Sequence, residues 1–172
     1  MSGPALTIAL RPGTGGLGPL YEALSDDLTG RVVVLTAPHD EVAVWGEILG
    51  TAATEAGAVA VAVDGAVRDV GALSLPLWAR STRTVGPSGA LEVAAVGSDV
   101  EIGGVTVSDG DVVLVDDDGM VALSTTDAAA VLADAGLYAD AEERIVAALR
   151  SGAPLRDAYL LKAEAVARMT RS

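Results

Sequence analysis

The sequence predicts an α/β fold, one domain ending in a helical C-terminal arm, and three observations predict it. Up to residue 65, short apolar runs alternate with helically spaced segments. Across residues 75–123 the segments become short, β-rich and broken by glycine turns. From Asp127 onward the pattern is helical, Ala-rich and of mixed charge sign.

In order, residues 5–10 (ALTIAL) form a short apolar run before Pro12 and a glycine-rich loop, and read as the first strand. Residues 20–28 are helix-like and stop near Gly30. Residues 32–36 (VVVLT) are β-branched and read as a second, fully buried strand. Residues 42–56 have helical spacing, with Val42, Trp45, Leu49 and Ala53 on one face and Gly57 as the stop. Residues 58–63 read as a third buried strand that ends in a turn at Asp64-Gly65. Hairpin signals follow at Gly103-Gly104, Asp109-Gly110 and Asp118-Gly119. Asp127 is a candidate N-cap, and residues 141–149 and 155–169 read as further helices. The α/β core is thus expected over 1–126 and the arm over 127–172.

Composition narrows the chemistry. The 24 acidic and 11 basic side chains leave a net charge of −13, which disfavours nucleic acid and anionic membrane as partners. With no Cys there is no disulfide, thiolate nucleophile or Cys-ligated metal, and His39 is the single histidine. Lys162 is the single lysine, so Schiff-base chemistry would have to use it. Arg, Asp, Glu, hydroxyls and a hard cation such as Mg²⁺ or Mn²⁺ remain. The chain shows no targeting signal and no run of about 18 apolar residues, so a cytoplasmic location is expected.

Several motifs have two readings. Gly13-Thr14-Gly15-Gly16-Leu17-Gly18 matches G-x-G-x-x-G, but Thr36 ends the next strand where a ribose-binding acid belongs, so a flexible glycine turn is the better reading. Asp116-Asp117-Asp118-Gly119 lacks the spacing of a calcium loop and fits a type I′ hairpin. His39 reads as a solvated loop residue, and Glu142-Glu143 as acids at the start of a helix. The segment Val63-Asp64-Gly65-Ala66-Val67-Arg68-Asp69 stands apart. It sets Arg68 beside Asp69 at the C-terminal edge of a buried strand, where α/β folds place ligands. A carboxylate there can anchor a divalent metal while the guanidinium grips an anion; local surface pairing is the alternative. Gly46-Glu47-Ile48-Leu49 opens a helix whose free N–H groups suit anionic oxygens.

WGEILGTAATEAGAVAVAVDGAVRDV and GGVTVSDGDVVLVDDDGMVAL together resemble the RraA-like family. That family includes class II 4-hydroxy-4-methyl-2-oxoglutarate/4-carboxy-4-hydroxy-2-oxoadipate aldolases and the regulator of ribonuclease activity A. The resemblance implies a β/β/α sandwich of the swivelling-domain type, assembled as a homotrimer or dimer of trimers. It implies that Gly46, Glu47, Ile48 and Leu49 bind the carboxylate of a 2-oxo acid, with Arg68 binding substrate and stabilising the enolate. Arg68 and Glu47 are the candidate catalytic residues. Asp69 is the implied metal ligand for Mg²⁺ or Mn²⁺, joined through water by Glu142 or Glu143 of a neighbouring subunit. Relatives often read G-D-N where this chain has Gly13-Thr14-Gly15, and often carry a helical segment before the first strand. The expected activity is aldol cleavage of 4-hydroxy-2-oxo acids to pyruvate with oxaloacetate decarboxylation. A non-catalytic regulator that inhibits a ribonuclease is the alternative.

Overall fold

The computed structural model describes residues 1–169 and divides into two compact units, 1–124 and 125–172. The first unit is built on a mixed sheet whose centre is parallel. Strand β1 (Ser2–Pro12) pairs in parallel with β2 (Val32–Thr36), and β2 with β4 (Ala60–Val67). β4 carries β5 (Leu77–Thr82) along its other edge, while β3 (Ala43–Trp45) joins its last residues, Ala66 and Val67. β6 (Leu91–Val96) and β9 (Val112–Val115) run antiparallel to the two ends of β1, and β10 (Met120–Leu123) pairs with β9.

Strand alternation explains the two cores. Val33, Leu35, Val61 and Val63 belong to one apolar cluster with Leu20, Leu24 and Ala53 of the helical layer. Val32, Val34, Ala60 and Ala62 belong to a second with Val100, Ile102 and Val107 of a small hairpin, β7 (Val100–Ile102) and β8 (Val105–Val107). The expected β/β/α layering follows: hairpin, central sheet, helices. Helix α1 (Gly18–Ala23) connects β1 to β2, and α2 (Glu47–Glu55) connects β3 to β4.

Four local readings are corrected. Residues 43–45 are strand rather than helix, because β3 is claimed by the end of β4 and Gly46 is extended (φ −171°). Strand β4 runs straight through Asp64-Gly65 instead of turning there. Asp64 is buried and accepts hydrogen bonds from Arg80 Nε (2.7 Å) and Gly103 N (3.0 Å), tying β4 to β5 and to the hairpin. The hairpin at Asp118-Gly119 is not type I′, since Asp118 has no positive φ; the Asp116 carboxylate accepts from the N–H groups of Asp118 and Gly119 instead. Finally, α1 is shorter than residues 20–28, ending at Ala23.

The second unit holds α3 (Ala128–Arg150), α4 (Leu155–Ala158) and α5 (Leu160–Val166). A single helix therefore covers the region where residues 141–149 were expected as a separate one, and Glu142-Glu143 lie in its interior rather than at a helix start. Asp127 occupies the N-cap position of α3 but makes no side-chain cap bond. No helix among the described residues is long and apolar enough to cross a membrane.

Candidate functional site

Two elements aim residues at one point. Helix α2 starts at Glu47 behind the N-cap Gly46, and the first N–H groups of a helix have no carbonyl one turn earlier to bind. Gly50 N already returns to Gly46 O (2.9 Å), so the amides of Glu47, Ile48 and Leu49 form the open end. At the end of β4, Arg68 N donates to Trp45 O (2.9 Å), locking the Arg68-Asp69 corner to β3. A Cβ on Gly46 would lie 2.8 Å from Arg68 Cγ and 2.9 Å from Asp69 Oδ2. Only a glycine lets the three meet.

Asp69 takes a left-handed backbone conformation (φ 56°, ψ 33°) and caps a short 3-10 turn, Val70–Ala72. That conformation costs on the order of 1 kcal/mol for a non-glycine residue, less for Asp than for branched side chains. Its carboxylate lies 3.5 Å from Arg68 Nε, and both side chains are nearly half exposed, so this pair adds little stability and leaves both groups open to a ligand. Leu73, just after the turn, packs against α2 where Gly50 leaves room.

A cavity of about 720 Å³ adjoins the corner, lined by Arg68, Gly46, Ile48, Leu49 and the loop of residues 86–89. The carboxylates of Glu47 and Asp69 are not part of its lining. The sequence reading missed the loop, where Ser88 (φ 39°) is the only described non-glycine residue besides Asp69 with positive φ. Its Gly86-Pro87-Ser88-Gly89 composition signals a turn, but nothing local ties it to Arg68, beside which Gly86 sits. Trp45, also in the wall, has a buried Nε1 without a hydrogen-bond partner among the described residues.

The glycine loop is pinned rather than flexible. Gly15 N donates to Glu92 Oε2 (2.8 Å) and Arg11 Nε to Glu92 Oε1 (2.7 Å), while a Cβ on Gly13 or Gly15 would strike Glu92. These contacts, the Gly15 amide foremost and Arg11 next, hold the Glu92 carboxyl below its ordinary pKa. An internal carboxylate thus takes the amide that a phosphate would need. His39 Nδ1 accepts from Glu41 N (3.3 Å) within its own loop and is not among the residues lining the cavity.

Asp69 belongs to no cluster of three or more His, Cys, Asp or Glu residues that could hold a metal among the described residues. One hard, half-exposed carboxylate fits Mg²⁺ or Mn²⁺, which keep most of their waters and meet a protein through one or two carboxylates. It does not fit an ion stripped of water. Glu142 and Glu143 lie on α3 in the other unit, where Glu142 Oε1 is 3.6 Å from Lys162 Nζ.

Solved structures share this architecture. An uncharacterized protein from Pseudomonas syringae pv. tomato str. DC3000 is 26% identical, with TM-score 0.84 over 93% of this chain and 75% of its own. Streptomyces coelicolor RraAS2, described as an unusual member of the RNase ES inhibitor RraA protein family, is 28% identical, with TM-score 0.74 over 83% and 74%. The RNA-processing inhibitor RraA from Thermus thermophilis is 26% identical, with TM-score 0.60 over 71% and 74%. The family model described as Aldolase/RraA matches residues 1–122, which span both site segments. On that match and this shared architecture, the chain belongs to the RraA-like family.

Proposed function

We propose that this protein is a divalent-metal-dependent aldolase that cleaves 4-hydroxy-2-oxo acids to pyruvate and also decarboxylates oxaloacetate. The convergence of Gly46, Arg68 and Asp69 supports it most directly. Cleavage of the C3–C4 bond leaves an electron pair that spreads into the 2-oxo group as the pyruvate enolate. The amides of Glu47, Ile48 and Leu49 hold the substrate carboxylate. Arg68, fixed through its own backbone, sets positive charge against the oxygen that turns negative. The proton of the 4-hydroxyl leaves to a nearby base, for which Glu47, first residue of α2, is the candidate. A divalent ion held by Asp69 would supply the electrophile that polarises the 2-oxo group.

Amine chemistry has no support. Lys162, the only lysine, lies in the second unit with its ammonium 4.3 Å from the centroid of the Tyr138 ring. The Tyr138 hydrogen bond and then that of Tyr159 raise its pKa, opposing the neutral amine a Schiff base requires. The chain would assemble as a homotrimer or dimer of trimers, with Glu142 or Glu143 of a neighbouring copy as further oxygen donors. The test is pyruvate release from oxaloacetate with Mg²⁺. Wild type should release it well above the metal-only rate, and Arg68→Ala and Asp69→Asn should each lose at least tenfold. Equal rates in all three proteins overturn the assignment.

The likeness to RraAS2 and RraA, with the charge of −13, favours a second reading: an acidic inhibitor of a ribonuclease. Capture of a basic ribonuclease from extract at low salt and its release at high salt would support that reading. No capture at low salt removes it.

A further inference from the structure

Two glycines border Arg68. Gly46 meets its stem, whereas Gly86 stands at its charged end: a Cβ there would lie 3.6 Å from Nη1 and 4.0 Å from Cζ. The loop of residues 86–89 therefore runs beside the guanidinium. Both ends of that loop are anchored, by Ala43 N to Val85 O (2.8 Å) and by Gly13 N to Ala90 O (3.1 Å). Ala90 N closes a turn on Pro87 O (2.7 Å).

Within this turn Ser88 holds a left-handed backbone (φ 39°), a region that its neighbour Gly89 (φ 79°) enters without steric cost. A glycine at 88 would serve the turn better, so the turn does not account for the side chain. A strained residue in a cavity wall points to a use for that side chain. The Ser88 hydroxyl is exposed and has no hydrogen-bond partner among the described residues. Other polar lining groups are committed or stand elsewhere: Ser25 Oγ donates to Tyr21 O (2.8 Å), Trp45 Nε1 is buried, and Tyr21 belongs to α1. Ser88 is thus the open donor two residues from the glycine that flanks Arg68.

We infer that Ser88 is a specificity-determining residue, whose hydroxyl donates to the far carboxylate of a 2-oxo dicarboxylate held by its 2-oxo acid end at Arg68 and the start of α2. The cavity is open to water, so one hydroxyl has to orient that carboxylate and need not replace its hydration. The inference rests on the 2-oxo acid reading above and adds the group that reads the substrate's other end.

Calorimetric titration with Mg²⁺ present tests it, using 2-oxoglutarate, which has a far carboxylate, and oxalate, which ends at its second carbon. Ser88→Ala and Ser88→Gly both delete the hydroxyl, the first keeping serine's backbone strain and the second relieving it. Each should weaken 2-oxoglutarate about fivefold and leave oxalate within twofold. Tyr21→Phe should change neither ligand. With oxaloacetate as substrate, both Ser88 variants should raise KM by a similar factor with kcat nearly unchanged. Loss in only one Ser88 variant, equal weakening of both ligands, loss in Tyr21→Phe instead, or no binding of 2-oxoglutarate by wild type overturns the inference. A selective loss for 2-oxoglutarate without pyruvate release from oxaloacetate upholds Ser88 and sinks the lyase. Release by wild type with unchanged 2-oxoglutarate binding in both Ser88 variants does the reverse.

Discussion

Gly46 shapes the site by what it lacks. Its extended backbone is open to any residue, so Gly46→Ala should fold with little loss of stability. The added Cβ, however, would sit 2.8 Å from Arg68 Cγ and 2.9 Å from Asp69 Oδ2 and must push both aside. Displacements on the order of 1 Å can cost about 10²-fold in turnover, so pyruvate release should fall by about that factor with the melting temperature nearly unchanged. Glu92 acts at the same scale but on the loop. Its folded pKa is depressed, so its stabilisation is present above the ordinary carboxylate value, about 4.3, and is lost as pH falls through the folded value. The urea midpoint of Glu92→Gln should therefore lie below that of wild type at pH 7, and the gap should close in acid. Arg68 and Asp69 stood out in the sequence because they are adjacent at the end of a buried strand, and Gly46 because it opens the separate segment Gly46-Glu47-Ile48-Leu49. Glu92 was not, since its partner Gly15 is 77 residues away and a lone acid in a strand carries no local signal.

Among the elements, α2 has the clearest ends. Gly57 (φ 93°) closes it with both bonds of a Schellman motif, Ala58 N to Ala53 O and Gly57 N to Thr54 O. Gly57→Ala should cost about 1–2 kcal/mol through the left-handed backbone alone. It should cost more through contact with Thr29 Cα at 2.9 Å, and chemical denaturation measures the sum. The helix stop was readable from Gly57, whereas the start was read five residues early. Val42 and Trp45 fit a helical stripe only because β3 is a short strand in which Ala43, Val44 and Trp45 are all buried, a pattern that carries no period. Likewise Asp64-Gly65 looks like a turn in isolation. It becomes mid-strand because Arg80 and Gly103 satisfy the buried carboxylate. Arg80→Met should cost about 1–2 kcal/mol, well below a fully buried pair, since Arg80 itself is more than half exposed.

For the whole molecule, the β/β/α layering was implied by the family resemblance, and the structure sets it by which strand residues face each apolar cluster. The helical pattern from Asp127 raised the expectation of a C-terminal arm, and the compact units divide between residues 124 and 125. Leu155, Tyr159 and Leu160, each more than half exposed in the second unit, are apolar surface that the proposed assembly would cover. Sedimentation at neutral pH should return a trimeric or hexameric mass, and a monomer would remove the proposed neighbouring-copy donors. The central claim concerns one place: the corner where β4 ends against the start of α2. A crystal soaked with Mn²⁺ and oxalate, a mimic of the pyruvate enolate, examines it directly. The account predicts anomalous scattering from Mn²⁺ on the Asp69 carboxylate, with oxalate between Arg68 and the amides of Glu47 to Leu49. Oxalate bound elsewhere, or Mn²⁺ found only at the Asp116 to Asp118 turn, would contradict it.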